Sequence, residues 1–361
     1  MKSFSIKTFI VVLLSAGTLV SNAQITTPRT PSPAASASQT IGISNVSVNY
    51  SRPSVRGREV WGKMVPYGWN KQTFGLGNDA PWRAGANENT TIEFSHDAKF
   101  AGKNVPAGKY GLFFVVNADN SGEVILSKDN QSWGSFFYIA SNDQMRAPIQ
   151  LRDIPHAERL TYDFINIDQN SAELVLNWEK KQFPVKVEFA VNDIVMANAA
   201  EELKGVKGFN WIGPNSAANY ALQNNTHLEE GLKYANQAVA ANNSFTTNRV
   251  KAGLLTATGK GAEAEQLMKG SIDLATEAEL NVYAYQLMGQ NNDDKALELL
   301  LLNAKKHPES ANVWDSLGDG YLKKGDNKNA IKSYKKCLTL NPNPALKAVS
   351  EQHLKDLGVS I

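Results

Sequence analysis

The loop after Trp82 carries three side chains that together could hold a polar ligand. Arg83, Asn87 and Glu88 lie within six residues and offer a planar fork of donors, an amide and a carboxylate. Such a set can bind a sugar or a carboxylate. It can equally form a salt-bridged, hydrogen-bonded turn that fixes the loop, and the sequence leaves both interpretations open.

A second group of candidate residues lies upstream. Arg52 and Arg58 come shortly before Trp61, and arginine beside aromatic rings is common at binding surfaces. We therefore add these three residues to the candidate ligand-binding residues. The alternative is that the ring of Trp61 covers one end of a hydrophobic core.

No combination of residues predicts a particular reaction. The histidines occur in neither H-x-x-x-H nor H-E-x-x-H spacing, so we expect no metal site and no cofactor. Cys337 is the single cysteine and has no partner for an internal disulfide. We expect a binding protein. The alternative is an envelope enzyme that acts on a glycan or peptide near the 83–88 loop, with Asp79 and Glu88 as its nearest carboxylates.

The sequence pattern of residues 41–192 predicts an all-β domain, which must position the candidate ligand-binding side chains. Apolar residues alternate with small or polar ones in short runs, and turn residues separate the runs. This spacing is typical of a β-sandwich or barrel. Beyond a first strand from residue 41, the predicted strands cover residues 91–94, 109–116, 123–127, 136–139, 149–151, 159–167, 172–178 and 183–190.

Five sequence blocks in this region resemble domain-of-unknown-function family 2911. They read NYSRPSVRGR at 49–58, WRAGANENTT at 82–91, AGKYGLF at 107–113, SWGSF at 132–136 and LTYDF at 160–164. The resemblance covers about residues 34–190. It implies a β-rich domain of a secreted or envelope protein from Gram-negative bacteria, and it supplies no reaction.

Residues 311–344 resemble a tetratricopeptide repeat of 34 residues. Its signature positions are occupied by Trp314, Leu317, Gly318, Tyr321, Ala330, Tyr334 and Pro342. The large residues share one face of each helix, whereas the small ones let paired helices approach closely. Weaker copies upstream place the start of the array at residue 212, and the array with its capping helix at 345–357 covers residues 212–361. A linking helix is predicted at 193–211.

The whole chain is therefore predicted to be multidomain, with an all-β sandwich or barrel followed by an all-α tetratricopeptide-repeat solenoid. A stack of such repeats creates a groove that binds extended peptides or helices. We expect a protein or peptide partner in this groove. A rigid spacer with nothing in its groove is the alternative.

The first 23 residues have the layout of a signal peptide. Lys2 and Lys7 precede an apolar run at 9–20, and Ser21 and Ala23 place small residues before a cleavage site at Gln24. We expect a periplasmic or secreted protein with a flexible leader at 24–40, and no membrane span after cleavage. The formal net charge is +2, and no basic stretch indicates binding to nucleic acid.

Overall fold

The computed structural model describes residues 31–360. The predicted signal peptide and the start of the predicted leader lie outside the described residues. The chain divides into two compact units, which we call the β unit (residues 34–189) and the helical unit (residues 191–356) after their secondary structure. The predicted fold class, a β domain followed by a helical repeat domain, is confirmed.

The β unit contains twelve described strands. They are β1 (Ala34–Ile41), β2 (Ser44–Ser51), β3 (Asn70–Lys71), β4 (Asp79–Ala80), β5 (Thr91–Phe94), β6 (Ala98–Phe100), β7 (Lys103–Val105), β8 (Gly108–Val116), β9 (Ser121–Ser127), β10 (Asp143–Gln150), β11 (Arg152–Ile165) and β12 (Ser171–Phe189). A six-stranded sheet has the order β1-β2-β5-β8-β9-β10, and a four-stranded sheet has the order β11-β12-β6-β7. The short strands β3 and β4 pair with each other.

Aromatic side chains hold the two larger sheets face to face. The ring of Phe94 in β5 lies 5.6 Å from that of Phe100 in β6, and the ring of Phe114 in β8 lies 5.0 Å from that of Phe183 in β12. None of the four is more than 1% exposed. Two sheets packed in this way form a β-sandwich. Burying one phenylalanine contributes about 1.5–3 kcal/mol, so these side chains stabilise the contact between the sheets.

The predicted flexible leader is wrong over its second half, because Ala34–Ile41 forms β1. Its small residues give little strand signal on their own. Gly42, with φ +60°, begins the turn that lets β1 fold back beside β2. The Asn45 amide also donates to the hydroxyl of Ser38 across the pair, at 2.9 Å.

Two further strand predictions differ from the structure. The apolar run at 136–139 falls in a 3₁₀ helix, Gly134–Phe137, and the residues after it. The two strands predicted at 172–178 and 183–190 form one strand, β12. Polar residues separate the two predicted strands, but Glu179 adopts φ +54° opposite Ala157, where the register shifts. The chain therefore continues through a β-bulge where the sequence predicted a break between strands.

The helical unit contains ten described α-helices. They are α1 (Val191–Glu202), α2 (Ile212–Gln223), α3 (Leu228–Ala241), α4 (Phe245–Ala257), α5 (Gly261–Ser271), α6 (Glu277–Gly289), α7 (Asp293–Lys306), α8 (Ala311–Lys323), α9 (Asn327–Thr339) and α10 (Pro344–Asp356). The helices α2, α4, α6 and α8 begin at residues 212, 245, 277 and 311, so the period is 33, 32 and 34 residues. We call these the first helices and their successors α3, α5, α7 and α9 the second helices.

Local sequence determines where these helices begin and how closely they pack. Thr276 and Glu279 form a reciprocal capping box at the start of α6. The second helices each bury a small residue, and Ala264, Ala296 and Ala330 are at most 5% exposed. A small side chain at this position lets paired helices approach closely. Within residues 31–360, no helix is long and apolar enough to cross a membrane.

Candidate functional site

A cavity in the β unit brings several candidate residues together. Its volume is about 390 Å³, which lies at the lower end of the roughly 300–1,000 Å³ typical of small-molecule sites. Arg56, Arg58 and Arg83 all line it, so we call it the arginine cavity. Among the described residues of its lining there is no aspartate or glutamate. The described part of the lining therefore carries positive charge and no acidic side chain.

Arg83 is held on the wall of the arginine cavity. Its Nη1 donates to the carbonyl oxygen of Asn87 at 2.5 Å, and its Cζ lies 4.9 Å from the centre of the Phe136 ring. Burial lowers the pKa of Arg83, because desolvation disfavours the charged form. A guanidinium nevertheless stays protonated in proteins, so Arg83 brings a half-buried positive charge to the cavity.

Gly134 makes room for this guanidinium. A Cβ atom at this position would lie 2.2 Å from Cζ of Arg83, which is well inside van der Waals contact. The φ of Gly134 is +63°, in the left-handed region that favours glycine. Any larger residue at this position would therefore displace Arg83 and strain the backbone.

Arg58 and Arg56 lie at the exposed edge of the cavity. Arg58 donates from Nε to the carbonyl oxygen of Val55 at 3.0 Å and from Nη2 to that of Ser54 at 2.5 Å. The backbone N–H of Arg56 donates to Oε1 of Glu158 at 3.0 Å. These bonds fix the turn that carries both arginines, so their position does not depend on a ligand.

Tryptophan rings form the apolar wall of the cavity. Trp82 and Trp178 line it with their rings stacked, 5.8 Å apart and 17° from parallel. The ring of Trp61 packs edge-on against both. Trp178 is 1% exposed, and its Nε1 has no hydrogen-bond partner within residues 31–360. A buried donor without an acceptor costs about 1–3 kcal/mol, so the tryptophan cluster contributes apolar surface to the wall and no exposed N–H of Trp178.

The structure divides the six candidate ligand-binding residues into two groups. Those that line the arginine cavity are Arg58, Arg83 and Asn87. Those outside its lining are Arg52, Trp61 and Glu88. Arg52 instead donates from Nε to the carbonyl oxygen of Leu160 at 3.0 Å, which ties its loop to β11. Trp61 belongs to the buried aromatic cluster behind the cavity.

The residues of the site that sequence reasoning missed include Trp82 and Trp178. Trp82 directly precedes Arg83, and this adjacency could have identified it. Nothing in the sequence places Trp178, far away in β12, against the same cavity. Of the two carboxylates considered for glycan hydrolysis, neither Asp79 nor Glu88 lines the cavity, so this geometry does not favour the enzyme alternative.

The first helices share an exposed face, which we call the first-helix face. Side chains about one period apart hydrogen-bond along it. Arg249 donates to Gln286 at 3.2 Å, and the hydroxyl of Tyr285 donates to Asp319 at 2.6 Å. Val282 lies one turn from Tyr285 and Gln286 on α6 and is 66% exposed. An uncovered apolar side chain therefore lies beside a row of polar ones.

A polar cluster links α10 to the last repeat. The hydroxyl of Tyr334 donates to Asp319 at 2.7 Å, and the ring of His353 stacks on that of Tyr334 with centroids 4.9 Å apart. The hydroxyl of Ser350 donates to Asp315. Burial raises the pKa of Asp315 above its ordinary value, because desolvation penalises the carboxylate. These bonds fix α10 in the place of a further first helix.

The residues of the repeat signature fall into three groups. Gly318, Ala330 and Tyr334 lie at the contact between α8 and α9, where a Cβ on Gly318 would be 2.4 Å from Cε1 of Tyr334. Three others line a second cavity of about 380 Å³ between α7 and α9, namely Trp314, Leu317 and Tyr321. Pro342 follows α9, which ends at Thr339. Within residues 31–360, no group of His, Cys, Asp or Glu side chains is arranged to hold a metal ion.

The chain consists of a β-sandwich followed by helix pairs of near-constant period. Helix pairs of this kind belong to the class of repeat scaffolds for protein interactions. Comparison with known families then gives the two regions their names. Residues 32–187 match the family described as a protein of unknown function, DUF2911. Residues 311–344 match a tetratricopeptide-repeat family. Both resemblances stated from the sequence are thereby confirmed. A search of curated proteins gives no match.

Several solved structures are similar to part of the chain. YrrB, described as a tetratricopeptide-repeat protein with an unusual peptide-binding site, is 14% identical, with 45% of this chain and 84% of that one covered and a TM-score of 0.29. The pilF protein of Pseudomonas aeruginosa is 18% identical, with 42% of this chain and 71% of that one covered and a TM-score of 0.30. MamA of Desulfovibrio magneticus RS-1 is 15% identical, with 42% of this chain and 94% of that one covered and a TM-score of 0.27. The helices themselves, and not these low TM-scores, carry the argument for a repeat scaffold.

Proposed function

We propose that this protein is an exported, non-enzymatic binding protein. Its helical unit engages a protein or peptide partner along the first-helix face, and its β unit binds a small ligand in the arginine cavity. One observation carries the proposal for the helical unit: Val282 is 66% exposed beside a hydrogen-bonded row of side chains. An apolar anchor with a polar rim is the usual anatomy of an interface.

The polar groups of this row suit an extended peptide. Gln286 offers both a donor and an acceptor, as a peptide backbone requires. Tyr285 is 39% exposed, and tyrosine is enriched at interfaces because it combines an apolar body with a hydroxyl. Since Tyr285 and Gln286 are already bonded to neighbouring helices, little side-chain entropy is lost when a partner binds.

A matched pair of substitutions tests the first-helix face. Val282→Asp places a charge in the proposed interface and should reduce capture of the partner from an envelope extract at least tenfold. Val206→Asp makes the same change in the same unit, at a side chain that is 77% exposed in a connecting segment, and should leave capture unchanged. Equal capture by both variants, or equal loss, would refute the assignment of this face.

Export is proposed from the first 23 residues and has its own test. Cleavage before Gln24 predicts a mature chain that begins at this residue, which mass spectrometry of the periplasmic fraction would detect. Replacing Leu13 and Leu14 with arginine interrupts the apolar run and should retain the full-length chain in the cytoplasm. A wild-type chain recovered with Met1 intact from the cytoplasm would contradict export.

A further inference from the structure

The ligand class of the arginine cavity follows from the charges of its lining. Three arginines line one cavity, and none of the described lining residues is acidic. In the described chain, the hydrogen bonds of Arg58 and Arg83 go to backbone carbonyl oxygens, which carry no full charge. Among the described residues of the lining, no carboxylate therefore neutralises the charges of Arg58 and Arg83, whereas Glu158, outside the lining, lies beside Arg56.

The arginines of the lining keep hydrogen-bond donors available for a ligand. A guanidinium has five N–H donors, of which Arg58 uses two and Arg83 uses one in the bonds given above. The hydroxyl of Ser135 already donates to the carbonyl oxygen of Pro81 at 2.6 Å, and the Nε1 of Trp178 is buried. An oxyanion supplies several acceptor oxygens to a planar arginine fork.

The apolar side chains of the lining indicate that the ligand also contains a ring. Trp82 and Met64 are half-buried side chains that face the same space. An inorganic anion would fill little of 390 Å³, whereas a ring of the size of a sugar or a phenyl group can lie against the indole of Trp82.

We propose that the arginine cavity binds a small organic anion, whose carboxylate or phosphate group lies between Arg83 and Arg58 and whose ring lies against Trp82. This inference rests on the proposed ligand binding by the β unit and names the chemistry of that ligand. Arg83, held by Asn87 and Phe136, fixes the position of the oxyanion. Arg56 and Arg58 supply the attraction at the edge.

Isothermal titration of the full-length protein with defined probes tests the proposal. The anionic probes are benzoate, phenyl phosphate, D-glucuronate and D-glucose 6-phosphate, and the neutral ones are benzamide and D-glucose. At least one anion should bind with a Kd below about 1 mM and at least tenfold more tightly than its neutral counterpart. The comparison of carboxylates with phosphates then identifies the source of the negative charge.

Three variants complete the experiment. Arg83→Gln should weaken binding of that anion more than tenfold, since a hydrogen bond to a charged group contributes on the order of a tenfold to hundredfold change in affinity. Arg56→Gln, at an exposed edge residue, should weaken it by a few-fold without affecting folding. Arg152→Gln removes the same charge from a surface pair with Glu173, outside the cavity lining, and should have no effect.

The outcomes separate this inference from the proposed function. If neutral probes bind as tightly as the anions, the cavity is a ligand site but the charge argument is overturned. If no anion binds with a Kd below about 1 mM, or if wild-type affinity survives in both Arg83→Gln and Arg56→Gln, the anion site is refuted. Partner capture by the helical unit is unaffected by any of these results.

Discussion

Replacing Gly318 with alanine tests how closely the paired helices of the last repeat pack. In an isolated helix this change stabilises by roughly 0.5–1 kcal/mol. In this protein the new Cβ would lie 2.4 Å from Cε1 and 2.6 Å from Cδ1 of Tyr334. That ring is fully buried, its hydroxyl is bonded to Asp319, and His353 stacks on its face, so it has little room to move.

Overpacking of this kind costs about 1–3 kcal/mol, which exceeds the gain in helix propensity. We expect Gly318→Ala to lower the free energy of unfolding of the helical unit by about 1–2 kcal/mol, measured by urea unfolding of the full chain with circular dichroism at 222 nm. Gly270→Ala, in α5, is the matched control, because its Cβ would have no neighbour within 4 Å. It should stabilise by a few tenths of a kcal/mol.

The double variant Gly318→Ala/Tyr334→Leu removes the ring that the new methyl group contacts. Its loss of stability should be smaller than the sum of the two single losses by at least about 0.5 kcal/mol. A Gly318→Ala variant as stable as the wild type, with strictly additive behaviour in the double variant, would refute the packing argument.

Three further predictions concern other parts of the chain. Gly134→Ala should displace Arg83 and destabilise the β unit by about 1–3 kcal/mol; a thermal melt unchanged from wild type would contradict it. Because burial raises the pKa of Asp315, the native state holds a proton that the unfolded chain releases, so stability falls as pH rises above the unfolded pKa. Asp315→Asn should flatten this fall in melting temperature as the pH rises above about 4. Thr276→Ala removes the capping box with Glu279 and should cost about 1 kcal/mol in urea unfolding.

The helical unit was more predictable from the sequence than the β unit, and the reason is physical. A repeat places the same small residues at the same helix contacts, so Gly318 and Ala330 indicate local structure through spacing alone. The pairing of β1 with β2 depends on a turn and on a neighbour, and the small residues of Ala34–Ile41 carry no such information. For the same reason, the bulge at Glu179 could not be distinguished from a break between two strands.

The candidate site was predictable where its residues are close in sequence. Arg83 and Asn87 belong to one loop, and their proximity on the cavity wall follows from that. Arg52 and Arg58 look equivalent in the sequence, yet one bonds to β11 and the other lines the cavity. Which of the two faces the cavity depends on strand packing that spacing does not encode, and so does the contribution of Trp178.

The length of β12 couples occupancy of the cavity to the integrity of the whole β unit. This one strand pairs with β11 over much of its length and with β6 at its end, while Trp178 forms cavity wall and Phe183 fills the space between the sheets. The wall therefore cannot open separately from the sandwich. A bound molecule would raise the melting temperature of the entire unit in proportion to the logarithm of its concentration, so thermal denaturation alone can be used to screen for natural ligands.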